Sequence, residues 1–347
     1  MIKIGLNGFG RIGRSIFRAN LEERYFDIKL INDIDPDIKN HSYLLEFDCT
    51  YGRIEDNRID LDKNSISISG GKTDFTSFQS IDEVPWEKYD IDLIIDATGI
   101  EDNVKKSHDI INSKRAKKII FTFCPNSKID GTFLDGVNFE NYKYDKHNIV
   151  SSSICDANAV APFFKLLDEK FSIELGQITT LHPWLGYQNL LDGTISSVSN
   201  PGHFWTDYAL GRSSLNNLIP KETRLIDSLE DVIPNIKGRV NATSFRTPTS
   251  IVSAADGVFL FEKQTSIEEI NDVIHDYQKQ FPGVLEVENR SLVSIDFRKT
   301  KCAATIDNRW LTLNKGKFLK FVLWYDNEYG YSSRTLNLAR KILLKET

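Results

Sequence analysis

Over the first 125 positions, apolar residues come in short unbroken blocks, each closed by a turn and several followed by helical spacing. IKIGLN (2–7) runs into GFGRIG (8–13) and then RSIFRANLEE. IKLIND ends on Asp33, IDLIIDATG (91–99) ends on Thr98 and Gly99, and AKKIIFTFCP (116–125) ends near Thr122. Blocks without alternation are what parallel strands covered on both faces require. Between Thr50 and Trp86 the pattern turns to alternation, as in SISISG, which predicts an antiparallel addition at the sheet edge. From Ser151 the pattern changes again. Val160, Phe163, Phe164, Leu167 and Phe171 fall at helical spacing just after Cys155, and a strand-like IELGQITTLHPWLG (173–186) carries His182. A domain boundary near Ser151 is therefore expected, with residues 1–150 and 151–324 as separate domains. No internal repeat or low-complexity linker interrupts them.

The glycines at 8, 10 and 13 give GxGxxG a strand before it and a helix after it, the context that makes the motif informative. The first glycine permits the tight turn, the second lets backbone approach a pyrophosphate, and the third lets helix and strand pack closely. Phosphate charge then sits on the helix N-terminus. Asp33, twenty residues beyond Gly13, supplies a carboxylate that binds ribose hydroxyls and repels a 2′-phosphate, favouring NAD over NADP. Thr98, Gly99 and Thr122 end their strands where open α/β sheets bind ligands. The expected class is α/β: a Rossmann doubly wound parallel sheet, followed by a second domain with chemistry of its own.

Composition narrows the partners. The 347 residues are 40% hydrophobic and 27% charged, with a formal net charge of −6. That is globular composition, and its sign leaves nucleic acid and acidic membranes without a basic surface to meet. The basic cluster between Lys114 and Lys118 reads as the solvated end of a helix. No apolar run approaches the roughly 20 residues that span a bilayer, and MIKIGLNGFGRIGR lacks a signal-peptide pattern. Cys49, Cys124, Cys155 and Cys302 are scattered without CxxC spacing, so no metal is expected, and a cytoplasmic protein with reduced thiols is the default.

Cys155 opens the predicted helix, where the dipole favours a thiolate. A histidine distant in sequence can draw off its proton, and thiol attack on an aldehyde then gives a thiohemiacetal able to pass hydride to a nicotinamide. The plainer alternatives are a small buried hydrophobe at Cys155 and a hydrogen-bonded core residue at His182.

NGFGRIGR (7–14), IND (31–33), FDCTYGR (47–53), the Cys155 segment, TTLH (179–182), SFRTPT (244–249) and WYDNEYGYSSR (324–334) appear in order along the chain. Together they resemble the glyceraldehyde-3-phosphate dehydrogenase family over essentially the whole chain. The resemblance implies an α+β catalytic domain with a large mixed sheet, a C-terminal helix (325–347) docking on the NAD-binding domain, and a homotetramer. It implies Cys155 as nucleophile, His182 as base, and a thioester released by inorganic phosphate. Gly8, Phe9, Gly10, Arg11 and Ile12 match the cofactor loop, Asp33 the ribose carboxylate, and Asn327 and Tyr331 the nicotinamide partners. Arg246, Thr223 and Arg212 match substrate- or phosphate-binding positions.

The departures from that pattern concern the acyl acceptor. The family usually reads SNASCTTN where this chain reads SSSICDAN (151–158). Ile154 brings no hydroxyl. Asp156 brings a negative charge where an attacking dianion approaches, worth roughly 1 kcal/mol at about 4 Å even in water-like dielectric. It also opposes the thiolate, unless it turns away as an ordinary first-turn helix residue. Leu185 replaces a threonine, Arg224 a glycine, and LLDGTISSVSNPGHFWTDYALGR (190–212) is longer than the corresponding loop. Trp184, Tyr187, Phe204 and Trp205 add aromatic bulk there. Expected is NAD-dependent oxidation of a small, phosphorylated aldehyde, with hydrolytic release of the acyl group or a silent NAD-binding role as alternatives.

Overall fold

The computed structural model describes residues 2–54, 59–68, 70–194 and 207–344. They group into two compact units: Met1–Leu134 with Asn138–Ser153 and Ser332–Thr347, and Asp135–Val137 with Ile154–Tyr331.

The first unit contains β1 (Lys3–Asn7), α1 (Arg11–Glu23), β2 (Asp27–Asn32), α2 (Ile38–Glu46), β3 (Asp60–Asp62), β4 (Ser65–Ile68) and β5 (Gly71–Thr76). It continues with β6 (Leu93–Asp96), α3 (Glu101–Asn112), β7 (Lys118–Phe121), β8 (Gly131–Thr132) and β9 (Ile149–Ser151). Its strands run in the order β3-β4-β5-β2-β1-β6-β7-β9-β8. All pairings are parallel except β3–β4 and β4–β5, so the alternating SISISG stretch does form the antiparallel edge. Every residue of β6 and of β7 is buried, which is why both read as unbroken apolar blocks. Trp86 is fully buried among Leu30, Ile94, Ile119 and Phe121. Gly5 makes room for it, since a Cβ there would stand 2.4 Å from the indole.

One expectation holds only in part. Lys114 is exposed just past α3, which stops at Asn112, and Lys117 is exposed too, but Lys118 lies buried on β7. Its ammonium donates to the carbonyls of Tyr144 and His147 and to Asn148 Oδ1, so three oxygens stand in for water. Arg115 caps the carbonyls of Asp82 and Val84. Hydropathy could not reveal that a lysine in a strand finds its acceptors in a distant loop.

The second unit contains α4 (Cys155–Phe171), β10 (Ile173–Pro183), β11 (Ile219–Lys221), α5 (Leu225–Glu230), β12 (Val240–Thr247), β13 (Ser253–Phe261) and α6 (Ile267–Gln280). Then come β14 (Leu285–Glu288), β15 (Ala304–Asp307), β16 (Thr312–Asn314), β17 (Phe318–Tyr325) and the start of α7 (Tyr329–Leu344). The strand order is β11-β12-β10-β13-β17-β15-β14, with β16 on β17. Parallel β10–β12 and β14–β15 pairs among antiparallel ones make the sheet mixed. Helix α4 lies on it through Phe163 and Phe164, whose rings meet Phe259 and Phe321 at centroid distances of 5.0 to 6.4 Å. Gly176 and Gly257 leave the space, since a Cβ would fall 2.6 Å from Phe259 and 2.4 Å from Phe321 respectively. Each fully buried phenylalanine contributes about 1.5–3 kcal/mol, enough to hold the middle of α4 against the sheet.

From Ser332 onward α7 belongs to the first unit. There Thr335 donates to Ser152 Oγ (3.2 Å), and Arg340 and Lys341 lie over the rings of Tyr25 and Phe139.

Candidate active site

In the first unit the loop between β1 and α1 is shaped for an anion. Gly8 takes a left-handed φ of +90°, which a side chain would strain. Gly13 packs so closely that a Cβ would stand 2.1 Å from the Gly8 carbonyl oxygen, whereas a Cβ on Gly10 would meet nothing. Gly10 is the N-cap of α1 without a side-chain cap, and the first turn has no acidic residue. The leading N–H groups and the positive end of the dipole are thus left for a phosphate. Buried Phe9 donates its N–H to Asp33 Oδ2 at 2.6 Å, fixing the carboxylate just past β2. Ile12 is half-buried, and Arg11 is exposed with its guanidinium 2.9 Å from Asp48.

Thr98 donates its hydroxyl to Asp96 at 2.6 Å, and Thr122 donates to the Asp96 carbonyl at 3.1 Å. Gly99 is exposed with φ +70°. The donor set of this cradle fits a dinucleotide: open backbone amides for pyrophosphate and one carboxylate for ribose hydroxyls.

In the second unit Cys155 is the first residue of α4, following Ile154 as N-cap. Ser153 before them takes φ +60°, a sharp entry into the helix. His182 stands near the end of β10, opposite Arg246 on β12. The two meet where the sheet face carries Thr180, His182, Ser244, Arg246 and Lys221. Thr180 pairs with Ser244, and Lys221 on β11 pairs with Ser244 in turn. A hydrogen bond from Thr180 to Ser244 Oγ (2.9 Å) closes this face beneath the charged groups.

Cys155 Sγ lies 3.7 Å from His182 Nε2 and 3.4 Å from Asp156 Oδ1. These ligand-type atoms of Cys155, Asp156 and His182 all fall within 4.8 Å of one another. Asp156 therefore faces the sulfur, and it is buried. Tyr325 on β17 donates its hydroxyl to the same Oδ1 at 2.8 Å. His182 Nδ1 lies 3.0 Å from the Pro183 carbonyl. A carbonyl only accepts, so Nδ1 carries the proton and Nε2 keeps a free lone pair facing the sulfur, whose own hydrogen goes to Asp156 Oδ1. Arg246 is buried, places Nη1 3.4 Å from that same carbonyl, and leaves Nε without a partner among the described residues.

These contacts set the protonation states. Burial pushes the Cys155 thiol well above its ordinary value, Asp156 pushes it further, and Arg246 only partly opposes this. Burial, then the Arg246 charge, brings His182 down to about 4 against the pull of Asp156. At neutral pH the resting pair is thus thiol and neutral imidazole, a base waiting for its proton. Burial and Arg246 lower Lys221, with Asp156 and Cys155 acting the other way. Tyr325 is raised well above the usual phenol value by burial and by Asp156.

The other sequence-expected residues are spread more widely. Thr223 accepts the Leu225 N–H at the start of α5, and Arg224 beside it is exposed. Arg212 is exposed and pairs with Asp192 at 3.0 Å. Asn327 is buried with Oδ1 unpartnered among the described residues, an acceptor suited to a carboxamide N–H, and Tyr331 is buried in the first turn of α7. Trp184, Leu185 and Tyr187 are half-buried. Phe204 and Trp205 lie outside the described residues.

Sequence reasoning missed Lys221 and Tyr325. Lys221 announces itself only through its strand register with Ser244, two residues before Arg246 on the same face of β12, and Tyr325 stood unremarked within WYDNEYGYSSR.

Residues 2–103 match the family model described as the NAD binding domain of glyceraldehyde 3-phosphate dehydrogenase, and residues 154–327 match its C-terminal domain. Among curated relatives, glyceraldehyde-3-phosphate dehydrogenase 2 of a Nostoc species is 35% identical, with 99% of each chain covered. Glyceraldehyde-3-phosphate dehydrogenase of Buchnera aphidicola is likewise 35% identical over 99% of each chain. Glyceraldehyde-3-phosphate dehydrogenase 1 of Bacillus cereus is 33% identical over 98% of each.

Fold, cradle and matches together define an NAD-dependent oxidoreductase with a dinucleotide-binding domain followed by a catalytic domain. The chain belongs to the glyceraldehyde-3-phosphate dehydrogenase family.

Proposed function

We propose that this enzyme oxidises a small phosphorylated aldehyde through a covalent thioester on Cys155. The observation that carries the reading is the Cys155 Sγ–His182 Nε2 approach of 3.7 Å, beside buried Arg246, whose Nε has no partner among the described residues. His182 takes the thiol proton as sulfur bonds to the aldehyde carbon, and returns it to the former carbonyl oxygen, giving a thiohemiacetal. When that hydroxyl gives its proton back to His182, the carbonyl re-forms as a thioester and hydride departs from carbon. Bound NAD supplies the hydride acceptor. Acyl transfer to an acceptor then frees the thiol.

Arg246, with Lys221 beside it on the same face, holds the substrate's phosphate, and Thr223 and Arg212 border that site. The exposed Arg224 and the half-buried Leu185 are where this chain sets its own preference. The Gly8–Ile12 loop with Arg11 holds the pyrophosphate, Asp33 the ribose, and Thr98, Gly99 and Thr122 the strand ends beside it. Asn327 and Tyr331 meet the nicotinamide. Asp33 in its place disfavours NADP.

The protein acts as a homotetramer in the cytoplasm. Exposed Leu190, Leu191, Tyr208 and Leu218 in the catalytic domain support subunit contacts, and four cysteines outside any disulfide suit a reducing compartment.

The test is a panel of phosphorylated and unphosphorylated aldehydes with NAD, with and without inorganic phosphate, followed by NADH absorbance. Cys155→Ser should abolish turnover, and His182→Asn should lower kcat by about 10²–10⁴. Arg246→Ala should raise KM for phosphorylated aldehydes more than for others. NADH formation that survives Cys155→Ser would exclude the covalent route.

A further inference from the structure

The thioester reading leaves the acyl acceptor to be named, and the neighbourhood of the sulfur names one. We propose that Asp156 is the general base that delivers water to the Cys155 thioester, so that the enzyme releases a free carboxylic acid. The inference rests on the thioester reading given above.

In the resting site the Cys155 thiol donates to Asp156 Oδ1 at 3.4 Å, and Tyr325 donates to the same oxygen at 2.8 Å. Acylation removes the thiol hydrogen. The carboxylate then keeps the tyrosine and is relieved of the thiol hydrogen; at 3.4 Å no water fits between Oδ1 and Sγ, so a water that it accepts sits to the side of the sulfur, next to the acyl carbon. A water held there has its oxygen beside the electrophile and its proton on a carboxylate, the geometry a base acting through one water needs. The charge penalty that Asp156 imposes on a thiolate also lapses at this stage, because an acylated sulfur carries no charge. The residue that hinders the first half-reaction is therefore placed to serve the second.

Charge counting disfavours phosphate as the acceptor. Arg246 and Lys221 supply two positive charges to this face. Asp156 and a substrate phosphate of about −1.5 to −2 already exceed them. A further dianion approaching the acyl carbon would meet the Asp156 carboxylate at about 4 Å with both of these cations already matched, a repulsion that grows as water is excluded. Neutral water meets no such barrier.

The step balances. Water oxygen bonds to the acyl carbon while Asp156 takes one proton. The tetrahedral adduct collapses with cleavage of the C–S bond, and the departing sulfur recovers the proton from Asp156. Thioester and water become carboxylic acid and thiol, with no redox change.

Deacylation can be watched alone. Cys155 is acetylated with 4-nitrophenyl acetate in the absence of NAD and aldehyde, and loss of the acetyl group is followed by intact mass, with Cys155→Ser as the control for site. In the wild type the decay should be unchanged by added inorganic phosphate, show a normal solvent deuterium isotope effect, and place one oxygen-18 from labelled water in the acetate. Asp156→Asn, which keeps an acceptor for Tyr325, should acetylate yet decay about 10²–10⁴-fold more slowly.

The proposal is overturned by decay proportional to phosphate with acetyl phosphate as product. It is equally overturned if Asp156→Asn decays at the wild-type rate. Should Asp156→Asn misfold, the phosphate, isotope and label measurements on the wild type still decide. Because acetylation here needs neither cofactor nor aldehyde, a negative result leaves the oxidation reading intact. A missing NADH signal would leave this result intact in turn.

Discussion

Asp156 sets the reactivity of its neighbour through one short contact. Its oxygen stands 3.4 Å from the sulfur, and with burial it keeps Cys155 protonated beyond the ordinary thiol range. Alkylation by iodoacetamide requires the thiolate. Its rate in the free enzyme should therefore be low at neutral pH and still be climbing above pH 9. Neutralising the carboxylate removes an anion that disfavours the thiolate, so Asp156→Asn should move that limb to lower pH and raise the rate at pH 7 by about tenfold. A limb that moves up or stays put would show that the carboxylate does not act on the sulfur. The identity of residue 156 was plain in the sequence, as was the question of where it points. The answer came from a rotamer held by Tyr325, 169 positions away, and such a partner leaves no local signal. Lys221 escaped notice for the same reason.

Among the elements, the turn between β1 and α1 was the most legible, because each glycine answers a constraint of its own. Gly13 is the tightest, with 2.1 Å between a would-be Cβ and the Gly8 carbonyl oxygen. Gly13→Ala should push α1 away from the loop. We expect a loss of about 1–3 kcal/mol, within the range for overpacking, and NAD affinity at least tenfold weaker by titration calorimetry. Retained affinity would mean that the loop relaxes without cost. Strands β6 and β7 and helix α4 were equally readable from apolar runs and helical spacing. The burial of Lys118 was not, since the three oxygens around it come from a segment some thirty residues on. Local pattern finds an element that buries apolar surface. It misses one whose burial depends on a distant polar cage.

For the molecule as a whole, buried ionisable groups tie stability to pH. His182 titrates near 4 in the native protein against 6.5 for a free imidazole. Between those values the unfolded chain binds a proton that the native state refuses. Stability is thus full above about pH 6.5 and declines as pH falls toward 4, by on the order of 3 kcal/mol. Thermal denaturation from pH 7 to 4.5 should show the decline, and His182→Gln should flatten it. An unaltered slope in that variant would place the acid sensitivity elsewhere. At this scale the family was readable from the order of motifs along the chain. No motif, however, encodes how charge is shared among Asp156, Arg246 and Lys221.

The four cysteines divide by exposure: Cys124 and Cys302 are buried, Cys49 is open to solvent, and Cys155 is half-buried. Peroxides, like alkylators, prefer a thiolate. A nucleophile held as the neutral thiol between turnovers is shielded from them. The carboxylate that slows the first bond to substrate thereby doubles as a guard against oxidative damage.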